Sequence, residues 1–218
     1  MALHPLVGQP PGGQPQSMDI DTPQITQTPQ TSTSPGMATL LGRNRSFAAG
    51  DARQQATPLP FVPRQLAYVI TCIDPRVDPG QILGVGIGDA IVARSVGGRV
   101  NDAVITDMAW ISYLKETIAP DEPFFEVAVI QHTDCGSALM ADEKLRTGFA
   151  ERNHLDPTAR DALLAVAVTD PPTSVRRDVD RLLASPHISP RIRVSGHVYD
   201  VSTGLVTTTI PATAREQD

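Results

Sequence analysis

The sequence has only two cysteines, Cys72 and Cys135, in 218 residues. That is too few for a small secreted scaffold stapled by disulfides. Aromatic residues make up 4% of the chain, which leaves little for a surface that stacks on bases. Positive charge is scarce as well: 18 Lys and Arg stand against 24 Asp and Glu, a net charge of −6. Binding a phosphate backbone needs a surplus of Lys and Arg, so nucleic acid is not expected as a partner. No apolar run approaches the roughly 20 residues of a bilayer-spanning helix, so no membrane partner is expected either. The first 13 residues lack a basic stretch followed by an apolar core, and they do not resemble an Arg-rich transit peptide. The expected location is therefore cytoplasmic.

The sequence does contain enough apolar residues for a core, at 40%. Residues 1–36 stand apart. They hold seven prolines, much Gln, Thr and Ser, and no aromatic side chain. Such a segment buries too little to offset its ordering entropy and is expected to be a disordered tail. Residues 37–63 read as an N-terminal helix (Met37 to about Asp51) and a proline-bearing linker (Gln54 to Pro63). Residues 64–218 read as one α/β domain.

Within that domain, Leu66 to Thr71, Ala90 to Arg94 and Glu126 to Gln131 are short, β-branched, continuous apolar runs, suited to strands buried on both faces. Asn101 can cap a helix that runs to about Glu116, with Val104, Ile105, Met108, Ile111 and Leu114 at helical spacing. Further helices are expected from Ser137 to Phe149, from Thr158 to Val166, and after a cap at Thr173 or Ser174. Ile192 to Val201 and Leu205 to Ile210 read as a hairpin around Ser202-Thr203-Gly204. Alternating strands and helices predict a mainly parallel central sheet flanked by helices, with an antiparallel C-terminal edge.

Three polar motifs follow the first three predicted strands: Cys72-Ile73-Asp74-Pro75-Arg76, Arg94-Ser95-Val96-Gly97-Gly98 and His132-Thr133-Asp134-Cys135-Gly136. In open α/β sheets, ligands bind beyond the carboxyl ends of strands. A lone cysteine pair in a reducing compartment suggests metal or catalytic chemistry; the plainer alternative is two unrelated buried thiols. Cys72, His132 and Cys135 together offer two thiolates and one imidazole. That donor set, with one position left open, suits catalytic Zn²⁺, and zinc can bring the pKa of a bound water down to about 7. Asp74 and Arg76 flank the first cysteine. A guanidinium that grips a carboxylate with two hydrogen bonds keeps it ionised and oriented. Asp74 could then accept a hydrogen bond from a water on the metal, or swing in as a fourth ligand. The plainer alternative is a surface ion pair in a turn.

C-x-D-x-R followed about sixty residues later by H-x-x-C is similar to the β-class carbonic anhydrases. The Arg94 to Gly98 stretch, His-Thr-Asp-Cys-Gly and the closing Gly196-His197-Val198-Tyr199-Asp200 also resemble that family, most of all its short members. The likeness covers about Met37 to Ile210. It implies Zn²⁺ held by Cys72, His132 and Cys135, and an Asp74–Arg76 dyad gating the fourth position. It implies reversible hydration of CO₂ to bicarbonate and a proton by zinc-bound hydroxide. It also implies a homodimer, sometimes paired into a tetramer, whose N-terminal helices embrace the partner, a role that suits residues 37–63. One departure stands out. The family carries Asn-Ala where this chain has Ser95-Val96, ahead of Gly97 and Gly98; if this loop lines the substrate pocket, selectivity changes with it.

The same scaffold could instead hydrolyse a CO₂ analogue such as CS₂ or COS, or serve as a non-catalytic module that binds zinc or bicarbonate. A thiol-redox role is disfavoured by the lack of C-x-x-C. Gly84 to Gly88 does not open a helix in a nucleotide-binding context and reads as a turn. His154, His187 and His197 are expected to be structural or on the surface, and Asp107 and Trp110, on a helix, to be structural. Asp134 is either a supporting partner of the site or a loop cap.

Overall fold

The computed structural model describes residues 36–55 and 61–215. The expected tail lies outside the described residues apart from Gly36, and so does the middle of the expected linker, 56–60. Helix α1 (Gly36–Ala49) stops where Gly50 donates its N–H to the Phe47 carbonyl, and it belongs to a unit of its own. The second unit opens with a short helical segment, α2 (Asp51–Gln55), in place of the start of the expected linker.

Of the three runs read as buried strands, Ala67–Cys72 and Glu126–His132 lie inside one sheet, whereas Ala90–Ser95 forms its edge and is only partly buried, with Val92 39% exposed. In chain order the second unit contains β1 (Ala67–Cys72), α3 (Pro79–Ile82), β2 (Ala90–Ser95), α4 (Asp102–Ile118) and β3 (Glu126–His132). Then come α5 (Glu143–Arg152), α6 (Pro157–Val166), α7 (Pro171–Ala184), β4 (Arg193–Tyr199) and β5 (Val206–Ala214). The strand order is β2-β1-β3-β4-β5, parallel throughout except for the antiparallel pair β4–β5. The chain thus folds as the mainly parallel α/β sheet with an antiparallel edge that the sequence predicts.

Alternation along β1 and β3 explains why their inner positions are apolar in succession. Tyr68, Ile70, Val127 and Val129 face a core shared with Val104 and Met108 of α4 and Val175 and Val179 of α7. Val69 and Ile130 face the other way, toward Val77, Val168 and Tyr199, and this second cluster also holds Cys72 and Cys135. Strand β1 lies between β2 and β3, so the chain switches direction across the sheet at β1. The carboxyl ends of these three strands therefore frame the crevice where α/β folds place their ligands.

Several boundaries differ from the expected ones. The expected helix over 137–149 is two elements: a 3-10 segment, Gly136–Ala141, and then α5. Asp142 divides them, because its carboxylate accepts the Leu145 N–H and starts a new helix. Helix α7 begins at Pro171, ahead of the expected cap, since the Pro171-Pro172 pair suits the first turn and leaves Ser174 buried inside it. Strand β5 runs on to Ala214 through Pro211, which an edge strand tolerates because its outer side needs no N–H donor. Trp110, expected to be structural, is 57% exposed and stacks on Tyr113.

Candidate metal centre and active site

Strand pairing brings the two ligand-bearing motifs together. β1 and β3 are adjacent and in parallel register, so Cys72 and His132 leave the sheet side by side. A turn after His132 then carries Cys135 back over the strand ends. That turn is pinned to the closing motif: Thr133 donates its N–H to the Tyr199 carbonyl, and Val201 donates to the Thr133 hydroxyl. As a result, one ligand atom from each of Cys72, His132 and Cys135 lies within 4.8 Å of the other two. The sulfurs are 3.9 Å apart, and both thiols are free and buried.

The imidazole is 1% exposed. Its Nδ1 sits 2.9 Å from the Thr133 carbonyl, which can only accept, so that nitrogen carries the proton. Nε2 is left with a lone pair, and among the described residues it is buried with no hydrogen-bond partner. A buried unpartnered nitrogen is costly in a folded protein. Here it faces two thiols, and two sulfurs plus one imidazole suit a soft or borderline cation such as Zn²⁺. The donors present therefore fit a metal ion.

The thiols titrate as a pair. The contact with Cys135, then burial, pushes Cys72 up to about 12. The same contact, helped by the Ser137 hydrogen bonds, draws Cys135 down to about 6, so Cys135 loses its proton first. Ser137 Oγ is 3.1 Å from the Cys135 sulfur and accepts the Val168 N–H. Its own proton is free to point at sulfur. Burial lowers the affinity of His132 for a proton, but the Cys72 contact and charge outweigh it and the net shift is upward.

Asp74 and Arg76 meet in the two-hydrogen-bond geometry. Nε and Nη2 of Arg76 reach Oδ1 and Oδ2 of Asp74 at 3.0 and 2.7 Å, and the Arg76 backbone N–H adds a bond to Oδ1. The guanidinium holds the Asp74 carboxyl down to about 2. Its Oδ2 lies 4.0 Å from His132 Nε2, so the ionised carboxylate borders the ligand cluster. Asp134 is the partner of Arg76 on its other side: its carboxylate takes Nη1 at 2.7 Å and its carbonyl takes Nη2 at 2.8 Å. It does so from a left-handed backbone (φ 53°) that Asp tolerates better than most residues.

The loop after β2 closes against the ligands from the other side. Ser95 pairs with Cys72 in the sheet and donates its hydroxyl to the Arg99 carbonyl, so that hydroxyl is spent within the loop. Val96 is 42% exposed. Gly97 and Gly98 are buried at φ 70° and 65°. A Cβ on Gly97 would stand 2.9 Å from Ser137 Oγ, and one on Gly98 would stand 2.9 Å from the Cys72 nitrogen. Glycine is needed at 98 because the loop backbone lies directly on β1, and at 97 because the turn presses on Ser137 and Val168.

Two supporting roles escaped the sequence reading. Arg94 donates to the carbonyls of Cys72 and Asp74 and to the Asp78 carboxylate, bracing the first motif. An arginine at a strand end followed by a Gly-Gly turn was the available signal. Ser137 carried no signal, since the Val168 N–H that its hydroxyl accepts lies 31 residues further along the chain.

The structure and its relatives agree on a class. A family model described as carbonic anhydrase matches residues 67–206, more than half of the chain, and the chain belongs to the β-class carbonic anhydrase family. Beta-carbonic anhydrase 1 of Mycobacterium tuberculosis is 29% identical over 171 residues, spanning 78% of this chain and 96% of that protein. A carbonic anhydrase structure from Streptococcus mutans superposes with a TM-score of 0.64 at 29% identity, covering 79% of this chain and 96% of that one. A carbon disulfide hydrolase of Acidianus sp. is 27% identical over 156 residues, 62% of this chain and 73% of that protein. Among the described residues no helix is long and apolar enough to cross a membrane.

Proposed function

We propose that this chain is a zinc-dependent carbonate dehydratase that interconverts CO₂ and bicarbonate. The observation that carries the reading is the unpartnered Nε2 of His132, buried beside two free thiols and bordered by an ionised Asp74. Cys72, His132 and Cys135 are assigned as metal ligands, and Asp74 and Arg76 as the catalytic pair. When bound, Zn²⁺ supplies Lewis acidity that lets a water ionise near neutral pH.

The protein groups do the rest. Arg76, anchored on both sides by carboxylates, keeps Asp74 charged and turned toward the ligand cluster. The ionised Asp74 Oδ2 can accept a hydrogen bond from a water there and orient it. The Nδ1–H···O=C bond to Thr133 leaves the lone pair of Nε2 available, and His132 would hold the ion through it. The loop of Ser95, Val96, Gly97 and Gly98 is assigned to the substrate approach, where Val96 presents an apolar side chain to a nonpolar gas.

The test is metal analysis joined to stopped-flow CO₂ hydration. Cys72→Ser should lose zinc. Asp74→Ala should keep zinc and lose about 10²-fold or more in rate, the scale on which a preorganised hydrogen-bonding group contributes. Full hydration by zinc-free protein would overturn the proposal. A second reading, hydrolysis of CS₂ or COS, is favoured by the similarity to the Acidianus carbon disulfide hydrolase. Assaying the purified protein on each gas separates the two.

The working form is proposed to be a homodimer, with a tetramer as its possible pairing, and residues 37–63 reaching the partner subunit. The open edge at β2 and the exposed Phe61 and Ile118 support association. A monomer by light scattering at micromolar concentration would refute this. The proposed compartment is the cytoplasm, where both thiols stay reduced.

A further inference from the structure

Behind the ligand cluster, on the opposite face of the sheet, lies a buried ion pair that the reaction itself does not use. Asp178 of α7 and Arg99, the residue after the Gly97-Gly98 turn, have side chains 2% and 11% exposed. Arg99 Nε and Nη2 reach the two carboxylate oxygens at 2.7 and 3.1 Å. The same carboxylate takes Gln131 Nε2 at 2.7 Å, and Arg99 Nη1 donates to the Ala165 carbonyl at 2.7 Å.

Each contact leads to one metal-ligand candidate. Gln131 precedes His132 in β3, so fixing its side chain on one face of the strand fixes the imidazole on the other. Arg99 is joined to Gly98, whose α-carbon rests against the Cys72 nitrogen with no room for a methyl group. Ala165 lies three residues before Val168, whose N–H holds the Ser137 hydroxyl that touches the Cys135 sulfur. One carboxylate thus ties together the supports of all three ligands.

Burying an ion pair rarely gains stability over a well-packed apolar pair of similar size. Packing alone therefore gives no reason for charge at this place. Fixing geometry does, because a metal site tolerates little error in the separation of its donors.

We infer that Asp178 is the positioning residue of the metal centre: through Gln131, Arg99 and Ala165 it sets the separation of Cys72, His132 and Cys135. This rests on the metal reading proposed above. Removing it should loosen the donor set while leaving the fold in place.

The experiment measures zinc affinity by competition with a chromophoric chelator, and the visible absorption of the Co²⁺-substituted protein, on chains shown to be folded by circular dichroism. Asp178→Asn keeps the shape and removes the charge. It should weaken zinc binding about ten- to hundredfold, the range seen when a supporting partner of a ligand is lost. It should also shift the Co²⁺ ligand-field and thiolate charge-transfer bands. Val179→Ala, a neighbouring core truncation outside the network, should lower thermal stability and leave both readouts at wild-type values. A folded Asp178→Asn chain with wild-type zinc affinity and an unchanged Co²⁺ spectrum overturns the inference.

Should Asp178→Asn not fold, Arg99→Met/Asp178→Leu decides. This apolar pair avoids leaving a lone buried charge. A tenfold or greater loss of zinc affinity in it supports the inference, and unchanged affinity overturns it. Wild-type protein with no Co²⁺ thiolate band would remove the metal reading itself and this inference with it. Normal wild-type binding alongside unaffected variants removes only the role of Asp178.

Discussion

Replacing Gly98 with alanine tests whether the loop after β2 really lies on the first ligand strand. The residue adopts φ 65°, where an L-amino acid pays about 1–2 kcal/mol. The added methyl would stand 2.9 Å from the Cys72 nitrogen and 3.0 Å from the Thr71 carbonyl carbon. Both are backbone atoms of a strand paired on both sides, so neither can move without its neighbours. Overpacking of this kind costs about 1–3 kcal/mol more. The expected total is about 2–5 kcal/mol. Gly84→Ala is the matched control: φ is 68° and nothing lies within 4 Å of the added carbon, so only the backbone cost of about 1–2 kcal/mol applies. Urea unfolding of both variants as metal-stripped protein measures the difference without linkage to bound ion. Gly98→Ala should also bind zinc more weakly, while Gly84→Ala should not. Equal stability losses in the two variants would refute the close approach on which the loop's role depends.

Asp142→Ala removes the cap that separates the 3-10 segment from α5; it should cost about 1 kcal/mol in chemical denaturation, and Asp142→Ser should recover most of that. His197 is held neutral between the hydroxyls of Ser195 and Thr208, and burial lowers its pKa despite the nearby Glu126 charge. Below the ordinary histidine value the unfolded chain takes up a proton before the folded chain does, so this contribution is complete above that value and is lost as pH falls through the folded one. The slope of stability against pH in that window should flatten in His197→Gln, measured by urea midpoints from pH 7 downward.

The fold was legible because its two central strands, β1 and β3, are buried on both faces. Continuous β-branched runs such as Tyr68 to Thr71 and Val127 to Ile130 have no other home in a small α/β domain. The ligand cluster was legible for a related reason: polar motifs directly after such runs must sit at one end of the sheet. Helix starts were less clear. Asp142 and the Pro171-Pro172 pair are strong local signals, but the apolar spacing of Ser137 to Phe149 runs across the break at Asp142 and hides it. The supports were invisible. Arg99 and Asp178 are 79 residues apart, and nothing in either neighbourhood marks one as the partner of the other. Pairing across two crossovers is a product of the whole topology, and no local pattern encodes it.

The two thiols sit at the ends of separate strands, Cys72 closing β1 and Cys135 in the turn after β3, 63 positions apart in the chain. An ion gripping both would act as a removable rivet across the β1–β3 seam, closing a loop that includes β2 and α4. Its grip would exist only while that seam is zipped in register, so chelation and sheet opening become two views of one equilibrium. Stripping the metal should therefore speed hydrogen exchange first along β1 and β3, and leave the distal β4–β5 hairpin comparatively quiet.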